Sequence, residues 1–130
     1  MVETKYPDGN PKSLQGAKKA PMQLVPAVAT IYMAKAFADG ARKYGPANWR
    51  ETGVAASVYV AAAKRHIDLF YDGGEDVASD SKVKHLAHAM ACLGILLDAE
   101  ACGKLIDDRP PAVPDLEGIL SMIPKEEANG

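Results

Sequence analysis

Cysteine is scarce in this 130-residue sequence, which has only two. Cys92 and Cys102 share one alanine-rich apolar stretch. On a helix their ten-residue spacing is a rise of about 15 Å, too far for a bridge within the chain. A reduced, cytosolic protein is therefore expected. Aromatic residues make up 6% of the chain and include a single tryptophan. No run approaches the roughly 20 apolar residues that span a bilayer, so no membrane partner is expected. The first 19 residues are polar and rich in Gly, Pro and Lys, unlike a secretory signal. A strong charge of one sign is missing too: 15 basic against 17 acidic residues give a net charge of −2. That excludes a broad basic surface for duplex nucleic acid, whose phosphates demand an excess of Lys and Arg. The sequence also has no GxxxxGK[ST] loop, no GxGxxG and no GxSxG elbow. A nucleotide, if one binds, must be held by a metal and by side chains on helices.

What remains is ordinary globular composition, 48% hydrophobic and 25% charged. One domain over residues 1–130 is expected, with an extended N-terminal arm over 1–18 and a flexible tail over 124–130. Turn formers from Pro7 to Pro11 mark the arm, and Lys19–Pro26 reads as an ordered strap into a helix. That helix is expected over Ala27–Tyr44, with Ile31, Ala34, Phe37 and Ala41 on one side and Lys35, Asp39 and Arg42 on another. Gly45-Pro46 stops it. A second helix is expected over Val54–Tyr71, with His66 nearly opposite its polar side. A third should start at a Ser79 or Asp80 cap and run to about Cys102. Its apolar stripe is Leu86, Met90, Leu93 and Leu97, beside a more polar stripe containing His85, His88 and Cys92. A short amphipathic helix fits Asp115–Ile123. No strand pattern is evident. The fold class is all-α, an antiparallel bundle of three long helices plus a short C-terminal one. Three long helices close a core poorly, and the alanines at 61–63 and 87–91 permit close packing between subunits. A homodimer or a dimer of dimers is therefore expected.

Three groups of residues carry possible chemistry. Glu75, Asp76 and Asp80 precede His85 and His88, which share one helix side at i, i+3. Carboxylates and imidazoles gathered this way suit a divalent cation, Mg²⁺ by the oxygens and Mn²⁺ or Co²⁺ by the imidazoles. A solvated acidic loop with a capping histidine is the other reading. Arg42, Lys43, Tyr44, Asn48, Trp49 and Arg50 offer charge for phosphates, rings for stacking and an amide for a base edge. The same residues would also serve as a helix C-terminus facing its dipole and a tryptophan plugging the core. In Arg65-His66 the two side chains diverge by about 100°, so His66 points inward as a packed residue or as a ligand orienter.

Taken in order, these segments resemble the phage dATP/dGTP diphosphohydrolase N-terminal domain family, related to the MazG-like all-α nucleoside triphosphate pyrophosphohydrolases. The strap Lys19-Ala20-Pro21-Met22-Gln23-Leu24-Val25-Pro26 is similar to that family's, as are Gly40-Ala41-Arg42-Lys43-Tyr44-Gly45 and Asn48-Trp49. Arg65-His66, Gly74-Glu75-Asp76, Asp80-Ser81 and His85-Leu86-Ala87-His88-Ala89 follow in the family's order. The resemblance covers about residues 16–103. Cys92 and Asp39 depart from the family's usual residues, and the acidic helix motifs of the MazG enzymes are absent. The resemblance implies conversion of dGTP or dATP to the monophosphate and pyrophosphate, with divalent Mg, Mn or Co. It implies metal binding by Glu75, Asp80 and His85, which would then be catalytic, with Asp76 and His88 in support. It implies phosphate contacts from Lys19, Lys43 and Arg65, a base pocket of Tyr44, Asn48 and Trp49, and an inward donor at His66. A phage protein that sequesters a nucleotide without turnover, and a helical interaction module, are the alternatives.

Overall fold

The structure is a computed structural model that describes residues 9–122. Pro7, Asp8, Ile123 and the tail 124–130 lie outside the described residues. The fold is mostly helical, and the first helix appears where an extended arm was expected. Helix α1 spans Pro11–Ala17 because Asn10 caps it, accepting from Lys12 N–H, and Pro11 occupies its first turn. A single 3₁₀ turn, Met22–Leu24, follows. Helix α2 covers Ala27–Tyr44, as periodicity suggested. It ends at Gly45, whose φ of 90° only glycine adopts easily, and Arg42 and Lys43 lie in its last turn. The four-residue helix α3 is Trp49–Thr52.

Two short strands were not foreseen. Strand β1, Val54–Ala55, pairs in parallel with β2, Leu105–Ile106, with Val54 opposite Leu105. Two residues are too few to show an alternation. Helix α4, Ala56–Tyr71, follows β1 directly, and helix α5, His85–Ala101, precedes β2. The strand pair thus joins the start of α4 to the end of α5 and sets them antiparallel. Asp108, just past β2, accepts from Ser57 N–H at 2.8 Å and from the Ser57 hydroxyl. It caps α4 from a distance, and these hydrogen bonds pull its pKa down. Gly53 makes the turn into β1 at φ 80°, and a Cβ there would lie 3.0 Å from the Lys104 carbonyl oxygen. Gly53→Ala should therefore cost about 1–3 kcal/mol, read as a lower urea midpoint with an unchanged m-value.

Helix α5 begins later than expected, at His85 rather than at Ser79 or Asp80. Residues 76–84 are used instead by a tight turn. Ala78 and Val83 are hydrogen-bonded across it, Lys82 sits at φ 65°, and Val77 bridges Lys84. The last helix, α6, is Leu116–Leu120, capped by Asp115.

The core differs from the sequence expectation in one instructive way. Among the described residues, the buried apolar ones are eight alanines and Val54. Ala36 of α2 packs on Ala87 and Ala91 of α5, flanked by Tyr32, Phe37 and Val83. The stripe expected to be inside is outside: Leu86, Leu93 and Leu97 are exposed, and so are Ile31 and Ala34 of α2. Asp39 and His85 are buried in their place, at 4% and 2% exposure. Small faces let the helices approach closely, and the polar pair is tolerated because each has hydrogen-bonding partners. No described helix is long and apolar enough to cross a membrane.

Candidate functional site

One half-open cavity of about 650 Å³ lies between the C-terminal half of α2, the α2–α3 loop, α4 and α5. Its apolar lining includes Phe37, Val58, Ala62, Ala91 and Ile95. Gly40 faces it, and a Cβ there would meet nothing within 4 Å, so space remains for a ligand.

One wall is aromatic. Trp49 lies 5.8 Å from Phe37, ring centre to ring centre, at 47°. Its indole N–H donates to Asp98 Oδ2 at 2.7 Å. The neighbouring Arg50 holds the same carboxylate with two bonds of 2.9 Å. The Arg50 guanidinium, then the Trp49 indole, hold the Asp98 pKa far below the usual carboxylate range. Asp98 on α5 thereby anchors the short helix α3 and fixes the ring that faces the cavity. Replacing it by alanine should weaken about tenfold the binding of a ligand that packs on Trp49, because a positioned wall is lost. A binding titration checks this. Tyr44 and Asn48 complete that side of the cavity.

The opposite side is polar. The buried Asp39 carboxylate pairs with Arg42 and, at 3.0 Å, with Lys43 Nζ. Asp80 approaches the same ammonium at 3.7 Å. The Asp39 hydrogen bond raises the Lys43 pKa, so Lys43 is a firm cation between two carboxylates. The Asp80 pKa is lowered, first by backbone N–H groups of its turn and further by Lys43. One lysine against two carboxylates leaves the charged lining net negative.

Three imidazoles meet beside this group. His66 Nδ1 lies 2.9 Å from His85 Nδ1, and the His66 ring stacks on His88 at 4.7 Å. His85 Nε2 faces Glu75 Oε1 at 3.3 Å, and His88 Nε2 lies 2.7 Å from the Ser81 hydroxyl. Backbone turns place these partners. Gly74, at φ 64°, lets Glu75 N–H return to the Leu69 carbonyl, and His85 N–H donates to the Asp76 carbonyl. Burial pushes the pKa of His66 down, with neighbouring imidazoles adding to it, and burial does the same to His88. The partners then assign tautomers. His85 donates Nε2–H to Glu75, so its Nδ1 accepts from His66 Nδ1–H. His66 Nε2 is left with a lone pair, on a residue that lines the cavity.

Of the residues singled out from sequence, Lys43, Tyr44, Asn48, Trp49, His66, Asp80 and His88 line the cavity. Glu75 and His85 stand behind His66. Asp76 contributes a backbone carbonyl, and Arg65 is exposed outside the lining. Lys19 lies on the strap and lines a separate half-open pocket between α1 and the 3₁₀ turn. Among the described residues, no three His, Cys, Asp or Glu side chains form a ready metal cage. Asp39 and Asp80 do offer two carboxylates in one place. That suits Mg²⁺, which is commonly held by one or two carboxylates together with substrate phosphates. Sequence reading missed Asp98, Phe37 and Tyr59, and took Asp39 for a departure. The i, i+4 spacing of Asp39 and Lys43 was the available signal for Asp39. Nothing local pointed to Asp98. Burial raises the Cys92 thiol pKa, which argues against a nucleophile there.

The described residues thus form a helical domain with a cavity that is aromatic on one side and ionic on the other. Residues 9–109 match the dATP/dGTP diphosphohydrolase N-terminal family, and the chain belongs to it. A protein of Salmonella phage PMBT28 named dATP/dGTP diphosphohydrolase is 30% identical over 114 residues. The match takes in 84% of this chain but only 38% of that relative, so the chain spans about two fifths of its length. No solved structure gives a significant match.

Proposed function

We propose that this domain hydrolyses a purine deoxynucleoside triphosphate, dGTP or dATP, to the monophosphate and pyrophosphate. The observation that carries this reading is the two-sided cavity, with Trp49, Tyr44 and Asn48 facing Lys43, Asp39 and Asp80. Family membership and the name of the phage relative support it. The purine stacks on the Trp49 side, and the Asn48 amide offers a paired donor and acceptor to its edge. Lys43 turns its ammonium to the phosphates. Asp39 and Asp80 would hold a divalent Mg, Mn or Co ion arriving with the triphosphate. That ion would neutralise phosphate charge and favour attack at the α-phosphorus.

His66 Nε2 takes the proton of the attacking water, whose oxygen bonds to the α-phosphorus as the bond to the pyrophosphate oxygen breaks. His85 and Glu75 orient His66 and stabilise the imidazolium that forms, and Asp76 supports His85 through its carbonyl. His88 braces the ring by stacking. Arg65, exposed on α4 next to His66 in sequence, would be the further cation for the departing pyrophosphate. The exposed leucines of α5 favour a homodimer or a dimer of dimers, whereas Ala87 and Ala91, expected to pack between subunits, are used up inside the chain. Sequestration of a nucleotide without turnover is the second reading. It is favoured by the missing three-ligand metal cage among the described residues.

The test is incubation with dGTP and dATP together with Mg²⁺, Mn²⁺ or Co²⁺. Monophosphate and pyrophosphate are expected, and a chelator should stop their release. Tight binding of unchanged nucleotide would establish the second reading. No binding of any nucleotide would overturn both and leave a helical interaction module.

A further inference from the structure

We infer that residues 10–31 are an exchanged arm. They pack on a second copy of this chain and carry Lys19 to the mouth of that copy's cavity. The inference rests on the cavity being a triphosphate site.

The first observation is an ordered segment that leaves its large apolar side chains exposed. Helix α1 and the 3₁₀ turn contain no buried residue. Met22, Leu24 and Val25 are exposed at 76%, 74% and 56%, and Val28 and Ile31 at the start of α2 at 65% and 54%. An apolar run of this kind gains from burial, roughly 1.5–3 kcal/mol for each large side chain fully covered.

The second observation is charge. Residues 10–25 hold Lys12, Lys18 and Lys19 and no acidic residue. Residues 72–80 hold Asp72, Glu75, Asp76 and Asp80 and no basic residue, and all four acids are exposed. Among the described residues no ion pair joins the two segments within the chain. Each is a complement for the other on a neighbour.

The third observation is reach. The arm joins α2 at Ala27, and Lys43 lies sixteen residues further along that helix. The separation is about 24 Å along the axis. The arm leaves α2 at the end away from Lys43, and in the chain's own fold Lys19 is not part of the cavity lining. A two-fold pairing of copies, isologous as homodimers are, can place each arm at the other's cavity. The receiving surface is the exposed stripe Leu86, Leu93 and Leu97. It shares α5 with Cys92 and Ile95 of the cavity lining. A net negative lining also needs cations from elsewhere to hold a triphosphate, and Lys19 of a second copy is one such cation.

Two measurements test this on the full chain. Equal amounts of ¹⁴N- and ¹⁵N-labelled protein are mixed, unfolded and refolded together, and treated with a carbodiimide that joins amines to carboxylates directly. Lys19 should be joined to residues of 72–80, with about half of the joined peptides carrying one label of each kind. Joined peptides carrying only one label each, or no joining of Lys19 to that loop, would overturn the exchange. So would a light-scattering mass of one chain. This measurement does not depend on activity, so it stands even if no nucleotide is cleaved. Where dGTP or dATP is cleaved, Lys19→Ala and Lys43→Ala should each be impaired alone. Refolded together they should recover about a quarter of wild-type activity, because random pairing leaves half of the molecules mixed, each with one intact site. No recovery would place Lys19 in its own chain's site.

Discussion

His66→Gln should lower kcat by about 10²–10⁴, the range that a positioned general base contributes, with little change in KM. The amide keeps much of the ring's size and can still donate to His85 Nδ1, which His66 faces at 2.9 Å. It offers no lone pair of comparable basicity on the cavity side. Pre-steady-state release of monophosphate separates this from a binding defect. The pH profile adds a second check. Burial lowers the His66 pKa, so the ring is neutral through the neutral range and is protonated only below the ordinary imidazole value of about 6.5. The base form is thus present above that value and lost as pH falls below it. The profile of kcat/KM should be flat above about pH 6.5 and fall on the acid side. The same depression makes the folded state release a proton that the unfolded state retains. His66 and His88 therefore support stability above that pH and withdraw the support as pH falls through their folded-state values. A profile of the same shape in the Gln variant would remove His66 from the reaction.

Ala87→Leu should destabilise the fold by about 1–3 kcal/mol. Ala87 is 1% exposed and packs where Ala36 of α2 meets α5. Three added carbons have no space unless the two helices separate. Separation would also move Asp39 away from Asp80 and His88, since Asp39 lies one turn further along α2. Thermal unfolding followed by circular dichroism reads the loss, and an unchanged midpoint would contradict the close packing. Ala61→Leu, at an exposed position of α4, is the control and should leave the midpoint nearly unchanged.

The C-terminal ends of the long helices were legible because their stops are chemical. Gly45 follows α2, Gly73 and Gly74 follow α4, and Gly103 follows α5. Orientation was less legible. Sequence periodicity assumes that the bulkiest stripe faces inward, and here Leu86, Leu93 and Leu97 face outward while Ala87 and Ala91 are buried. A single chain's pattern does not say whether a leucine stripe is meant for its own core or for another surface. The start of α5 was misplaced because Ser79 and Asp80 are good caps, yet the Ala78–Val83 turn uses that stretch first.

The site was legible where its parts are near in sequence. Lys43, Tyr44, Asn48 and Trp49 come from one stretch and do line one cavity. His85 and His88 were read with the acidic loop and His66 apart from them, but the structure brings all three together and gives them two jobs. His66 and His88 line the cavity, while His85 stands between His66 and Glu75. That division depends on the antiparallel approach of α4 and α5. Asp98 was hidden for a similar reason, since it reaches Trp49 across 49 positions of sequence.

The single tryptophan has a practical consequence. Indole emission from this chain arises from one ring alone, and that ring forms a wall of the cavity, with its N–H held by a carboxylate. The unlabelled protein therefore carries its own optical reporter of occupancy. A purine stacking there would quench the emission, while a triphosphate without a base, engaging only the ionic side, would leave it almost unaltered. The two halves of the cavity can be titrated separately in one cuvette, before any catalytic assay is attempted.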